Sequence, residues 1–190
     1  MNRIVYFLIV ALLCVSCRSQ QRLINGNEQL LDIPCSSIVS DAFTTRALGT
    51  STSSNIQGAK DKAAVAARNE LASTMQTSVQ RVVDTYAESY EGDTLSRFIS
   101  ITQDISRLTS YQVLVGSTIA CEKITQTIDK KTKKVLYHAY VVVEIDNRKI
   151  LKSLEQKLET AISQGDTFPV DLELEKLQQL FHNEIEKLHN

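Results

Sequence analysis

Residues 44–86 read TTRALGTSTSSNIQGAKDKAAVAARNELASTMQTSVQRVVDTY. The stretch changes periodicity once, near Ser54. Before that point, residues 44–53 are short or β-branched and include Gly49, a composition that predicts a strand. After it, Ile56, Ala59, Ala63, Ala66 or Ala67, Leu71, Met75, Val79, Val82 or Val83, Tyr86 and Tyr90 recur at spacings of three and four. That spacing puts them on one face of a helix. Ser54-Asn55-Ile56-Gln57 fits a capping box, with Ser54 accepting from the third helical amide and Gln57 reaching back. The pattern lasts about 35 residues, or about 50 Å at 1.5 Å per residue. Its first half is lined with Ala59, Ala63, Ala64, Ala66, Ala67 and Ala72. Side chains this small let a helix axis lie close to a sheet, and alanine sustains helicity by propensity. Met75 and the tyrosines on the stripe read as core and core edge rather than as ligands.

Gly92 suits a helix stop and Asp93 a new N-cap. Leu95, Phe98, Ile101 or Thr102, Ile105 and Leu108 then mark a second, shorter helix. From Tyr111 the period reads as two: Tyr111, Val113, Val115, Ser117, Ile119 and Cys121 share one side of an expected strand. The charged turn Asp129–Lys134 (DKKTKK) leads into a second alternating run, Val135, Tyr137, Ala139, Val141, Val143 and Ile145, with His138 on the opposite side. Two alternating runs joined by such a turn predict an antiparallel hairpin. Its lysines suit a loop tip or sheet edge, where charge blocks edge-to-edge pairing. The functional alternative is a basic site for an anionic partner. Asp146 or Asn147 caps a third helix striped by Ile150 or Leu151, Leu154, Leu158 and Ala161 or Ile162. The segment from Gly165 to Pro169 breaks it, and Leu174, Leu177, Phe181, Ile185 and Leu188 stripe a last helix. These two read as a helical hairpin covering their own protein; a homo-oligomer formed through the same C-terminal stripes is the rival. The element order predicts an α+β domain: a small, mainly antiparallel sheet with helices packed on one face.

The N-terminus predicts an address. Arg3 precedes an unbroken apolar run, Ile4 to Val15, which has the length of a signal-peptide core and is too short to span a bilayer at roughly 20 residues. Cys14-Val15-Ser16-Cys17 resembles the bacterial lipobox, with small Ser16 before the acceptor Cys17; Cys14 stands where such boxes usually carry Leu. The resemblance implies removal of residues 1–16 and acylation of Cys17. One acyl chain anchors marginally and several anchor stably. Arg18 rather than Asp at the next position leans to the outer membrane, and the tether, free of acidic clusters up to Asn27, to its periplasmic leaflet. The expected parts are therefore a leader at 1–16, a lipid-anchored tether and lead-in at 17–43, the α+β domain at 44–164 and a C-terminal helix at 165–190. Cys35 and Cys121 are then the remaining thiols in an oxidising compartment, either bridged or buried as free thiols. A bridge closes a loop of about 86 residues and contributes up to roughly 4 kcal/mol by loop entropy.

Charge and motifs narrow the function. The 190 residues hold 21 basic and 22 acidic side chains, formal charge −1, and nothing in that balance recruits nucleic acid, which needs a clustered basic surface. The chain contains no H-E-x-x-H, no Gly-rich phosphate loop and, after Cys17, no C-x-x-C. His138, His182 and His189 read as surface histidines, and no carboxylate pair stands out as an acid and base. The expectation is a protein without catalytic residues, cofactor or metal.

The stretch GTSTSSNIQGAKDKAAVAARNELASTMQTSVQRVVDTY resembles the signature of the Lpp-twenty lipoprotein family, through Ala59, Ala63, Ala67, Arg68, Leu71 and Ala72. VLYHAYVVVEI resembles the second half of that family's domain, so the likeness covers about residues 44–160. It implies the fold and an envelope location, and it carries no active-site residues. The reading that follows is an anchored envelope module that binds a protein partner. A small-ligand or glycan-binding lipoprotein is the second reading, with Leu136, His138, Tyr140 and Val142 as its surface if the helices leave that face open. An envelope hydrolase is the third.

Overall fold

The computed structural model of the chain describes residues 23–24, 28–29, 31–88, 94–163 and 174–188. The chain divides into two units, Met1–Ile33 and Pro34–Asn190. In the first, a two-residue antiparallel ladder pairs Leu23–Ile24 with Glu28–Gln29.

The second unit is an α+β domain. Its elements are β1 (Thr44–Ser53), α1 (Ile56–Ala87), α2 (Thr94–Gly116), β2 (Thr118–Ile128), β3 (Val135–Asp146), α3 (Asn147–Ser163) and α4 (Leu174–Lys187). The strands form one antiparallel sheet in the order β1-β3-β2. Thus β3 lies central, paired with β1 from Thr44↔Asp146 to Ser53↔Tyr137 and with β2 from Thr118↔Glu144 to Ile128↔Val135. Helix α1 packs on β1 and β3; α2 and α4 pack against α1, and α3 touches α2.

The alanine stripe works as its composition requires. Ala59, Ala63 and Ala67 are fully buried against the sheet, and Leu71, Met75, Val79, Val82, Val83 and Tyr86 continue the stripe. Ala139, Val141, Val143 and Ile145 meet it from β3. Ile105 and Val113 close the core from α2, Ile150 and Leu154 from α3, and Leu177, Phe181 and Ile185 from α4. At roughly 25 cal/mol per Å² of apolar surface removed from water, this cluster is the main stabilising contribution.

Four local expectations are corrected. The cap of α1 is Asn55, not Ser54: its side-chain oxygen accepts from Gly58 N at 2.9 Å, while Gln57 turns forward to Asp61. Ile56 and Ala66, expected on the buried stripe, are exposed, because the stripe follows the steps 59, 63, 67 and 71. Helix α2 runs through the residues whose alternation suggested a strand. Ile105, Thr109 and Val113 are buried four residues apart, so the helical period continues beneath the apparent period of two. The strand begins at Thr118 instead. Last, the final helix rests its stripe chiefly on α1, and Gln178 donates to Glu155 of α3 across the expected helical hairpin. Gly92, Asp93, Tyr90 and Gly165–Pro169 lie outside the described residues.

Candidate functional site

Helices occupy one face of the sheet. On the other, β3 presents Leu136, His138, Tyr140, Val142 and Glu144, the residues that alternate with its core set. β1 adds Arg46, Leu48, Thr50 and Thr52, and β2 adds Cys121, Lys123, Thr125 and Thr127, by register. The position of Cys121 on this face has a local cause. The ladder shifts between Ile119 and Cys121, which leaves Ala120 as an extra residue. A bulge of this kind reverses the side to which later residues point. Cys121 therefore does not share a side with Ile119, as uninterrupted alternation predicts, and it meets Cys35 on the outer face. The two are bridged, with Cα atoms 6.0 Å apart.

The bridge fixes a strap, residues 34–43, over part of this face. At one end Cys35, held at φ 68, is bonded to β2. At the other, Ser40 brackets the backbone of β1: its hydroxyl accepts from Arg46 N at 2.8 Å and donates to Arg46 O at 3.3 Å. Those groups point away from β3, so Ser40 satisfies part of a free sheet edge. The Arg46 guanidinium donates to Glu144 (2.8 Å), Asp41 (2.7 Å) and the Val39 carbonyl (2.6 Å). The Arg46 hydrogen bond, aided by the Phe43 amide, holds the Asp41 carboxyl below its ordinary value. A groove of about 430 Å³ follows the strap along β1, lined by Ile38, Val39, Ser40, Arg46, Ala47, Leu48 and Leu188. Val142 lies between the strap's two attachments in register and is 1% exposed. Val142 is therefore removed from the surface expected from the sequence.

The rest of that surface is open. Leu136, His138 and Tyr140 are half-buried in the central strand, flanked by exposed Thr50, Thr52, Lys123, Thr125 and Thr127. His138 bonds both neighbours: Nδ1 to Thr52 Oγ1 and Nε2 to Thr127 Oγ1, each at 2.9 Å. The arrangement resembles a hydroxyl–imidazole nucleophile pair, but the third member is another hydroxyl. A carboxylate at that place would fix the tautomer and stabilise an imidazolium; a threonine hydroxyl does neither by charge. The two strips, threonines on β1 and threonines with a lysine on β2, are not among the sequence candidates. The alternation of β2 contained them, once its true start and bulge are known.

The remaining candidates are not gathered at this face. His182 sits exposed on α4, 3.1 Å from Glu186. Cys17 and His189 lie outside the described residues. Among the described residues, no group of three or more His, Cys, Asp or Glu side chains is placed to hold a metal, and no helix is long and apolar enough to cross a membrane.

The class defined by these features is an α+β domain whose outer sheet face, among the described residues, is crossed by a strap and bears no helix. Comparison with protein families, curated proteins and solved structures found no match.

Proposed function

We propose that this chain is a lipid-anchored cell-envelope protein without catalytic function, acting as an interaction or assembly module in the outer membrane and periplasm. In this reading Cys17 carries the acyl chains, the strap leads from the tether onto the domain, and the open part of the sheet face receives a protein partner. The observation that carries the reading is the Cys35–Cys121 bridge, which joins the segment nearest the tether to the far strand of the sheet. Structural disulfides persist in oxidising compartments such as the periplasm, in keeping with the lipobox-like Cys14–Cys17. The resemblance to the Lpp-twenty family points the same way.

A second reading has its own support. This face combines an imidazole, a phenol, threonine hydroxyls and Lys123, a chemistry suited to hydroxyl-rich ligands such as glycans.

Intact mass and membrane fractionation of the native protein, beside Cys17→Ala, test the first reading. Acylated mass on the wild type and loss of membrane association in the variant are expected. A cytosolic protein with residues 1–16 retained sinks it. Crosslinking from membranes that captures a protein partner at Thr50 or Thr125 favours a protein interface, and a saccharide-dependent thermal shift abolished by His138→Ala favours the second.

A further inference from the structure

The β2–β3 hairpin projects beyond the third strand. β1 ends opposite Tyr137, whereas the pairs Thr127↔Leu136 and Ile128↔Val135 and the whole turn lie past that end. The turn is held from within. Asp129 Oδ1 accepts from Lys131 N (2.9 Å) and Thr132 N (2.7 Å), its backbone pairs with Lys134 O and Lys133 N, and Lys133 takes φ 57. The result is a firm tip that exposes Lys130, Lys131, Lys133 and Lys134. None of the four makes an ion pair among the described residues. The one acidic residue there, Asp129, spends its carboxylate on the turn. Between Glu122 and Glu144 the hairpin carries five lysines and one aspartate, in a chain whose formal charge is −1. Glu122 itself is paired with Lys60 at 2.8 Å. The basic charge is thus concentrated where the hairpin runs past the end of β1.

The chemistry of the tip limits its partner. Lysine is a hydrated point charge without arginine's bidentate fork, so it selects for charge density rather than for one carboxylate or phosphate geometry. The two described grooves are lined by other parts of the domain, and no residue from Ile128 to Val135 is aromatic, so a base finds no ring to stack on there. Ile128, in the projecting part, is 62% exposed beside the lysines. Exposed lysines two to six residues from an exposed aliphatic side chain match a bilayer surface, where headgroups meet the charges and the aliphatic group reaches the acyl boundary. We propose that the β2–β3 tip docks on the anionic phospholipid headgroups of a bilayer, Lys130, Lys131, Lys133 and Lys134 supplying charge and Ile128 the apolar contact. This does not depend on acylation of Cys17; it requires only a membrane containing anionic lipid.

The test uses the full chain as Cys17→Ala, so that acyl chains contribute nothing and the apolar N-terminal run is common to every variant. Cosedimentation compares phosphatidylcholine vesicles with vesicles of phosphatidylcholine and phosphatidylglycerol. Each lysine near an anionic surface is expected to contribute about fivefold. Changing all four (Lys130→Gln, Lys131→Gln, Lys133→Gln, Lys134→Gln) therefore removes a preference on the order of several hundredfold, with the thermal melt unchanged. Ile128→Ser weakens binding to both vesicles. The control Lys62→Gln with Lys149→Gln and Lys152→Gln leaves the preference intact, and added salt erodes it. Equal binding to the two vesicles overturns the proposal, as does a preference that survives the fourfold change. Competition by inorganic phosphate beyond that of chloride at equal ionic strength overturns it in favour of a discrete anion site. Capture of an acidic protein or RNA through the same lysines, with anionic vesicles ignored, overturns it in favour of that partner.

Discussion

A β-carbon placed on Gly49 would fall inside the carbonyl oxygen of Ala63. It would also overlap the Ala67 amide and lie 2.9 Å from Ala67 Cα. Strand β1 and helix α1 therefore touch backbone to backbone, and the fully buried Ala63 and Ala67 are the helix's half of that contact. Neither backbone can yield without moving an element. Gly49→Ala is expected to cost more than about 3 kcal/mol, beyond ordinary overpacking. Gly116→Ala is the control: its new β-carbon meets only Ile145 Cδ1 at 3.8 Å, so it should be neutral or stabilise by about 0.5 kcal/mol through the unfolded chain. Urea denaturation of both variants measures the difference.

Cys35→Ser with Cys121→Ser is expected to lower stability by roughly 2–4 kcal/mol, because the bridge closes a long loop in the unfolded chain. A reductant should destabilise the wild type to the same level and leave the double variant unmoved. Hydrogen exchange should localise the loss. The amides of the strap and of Leu48 and Val142 are expected to exchange faster, while Ala139 and Val141 on the helical side keep their protection. Uniform exchange across the sheet would show that the strap does not cover the face separately.

What the sequence made legible follows from the range of each interaction. Strand β1 and the stripe of α1 were readable because periodicity and alanine content are local. The sheet's two faces in β3 were readable for the same reason, which is why His138 and Tyr140 were placed on the correct side. The start of β2 was not. Val113 satisfies both a strand alternation from Tyr111 and a helical step from Thr109, and burial against α1 decides for the helix. The side taken by Cys121 depends on one unpaired residue, Ala120, that leaves no mark in composition. The strap was also hidden: residues 34–43 have no period, and their path is set by Cys121, Arg46 and Glu144, distant in sequence. So the candidate face was half visible, its central strand legible and its cover and flanks not.

The joint between β1 and α3 is polar and buried. Thr45 Oγ1 donates to Asn147 Oδ1 at 2.7 Å, with the two residues 1% and 3% exposed, and Asn147 N donates to Phe43 O at 2.9 Å. The Asp146 side chain, accepting from Arg148 N, takes over the cap. Asn147→Ala strands the Thr45 hydroxyl without its acceptor and is expected to cost about 2–3 kcal/mol. Adding Thr45→Val removes the stranded group. The double variant should recover part of the loss, and a cycle of the two changes measures the coupling. Additive losses would mean that the hydrogen bond contributes nothing beyond packing.

Glu184 gives the domain an acid-sensitive contact between α4 and α1. Its side chain is 6% exposed and accepts from Arg81 at 2.9 Å and from Lys187 at 3.1 Å. Burial pushes the carboxyl up, but the hydrogen bonds from Arg81 and Lys187 outweigh it, so the group titrates below its ordinary 4.5. A carboxyl lowered by folding adds stability that is fully present above its unfolded pKa and is lost as pH falls through the folded one. Arg81 is 61% exposed, so the pair falls short of a fully buried bridge. Arg81→Ala is therefore expected to cost about 1–2 kcal/mol at neutral pH. The gap from wild type should close on acidification below the ordinary carboxyl value, where the unfolded chain is protonated and the folded one follows. Glu184→Gln should flatten the same acid limb. Chemical denaturation across that pH range checks both variants. A gap that stays constant with pH would assign the loss to the packing of the Arg81 stem on α4 rather than to its charge.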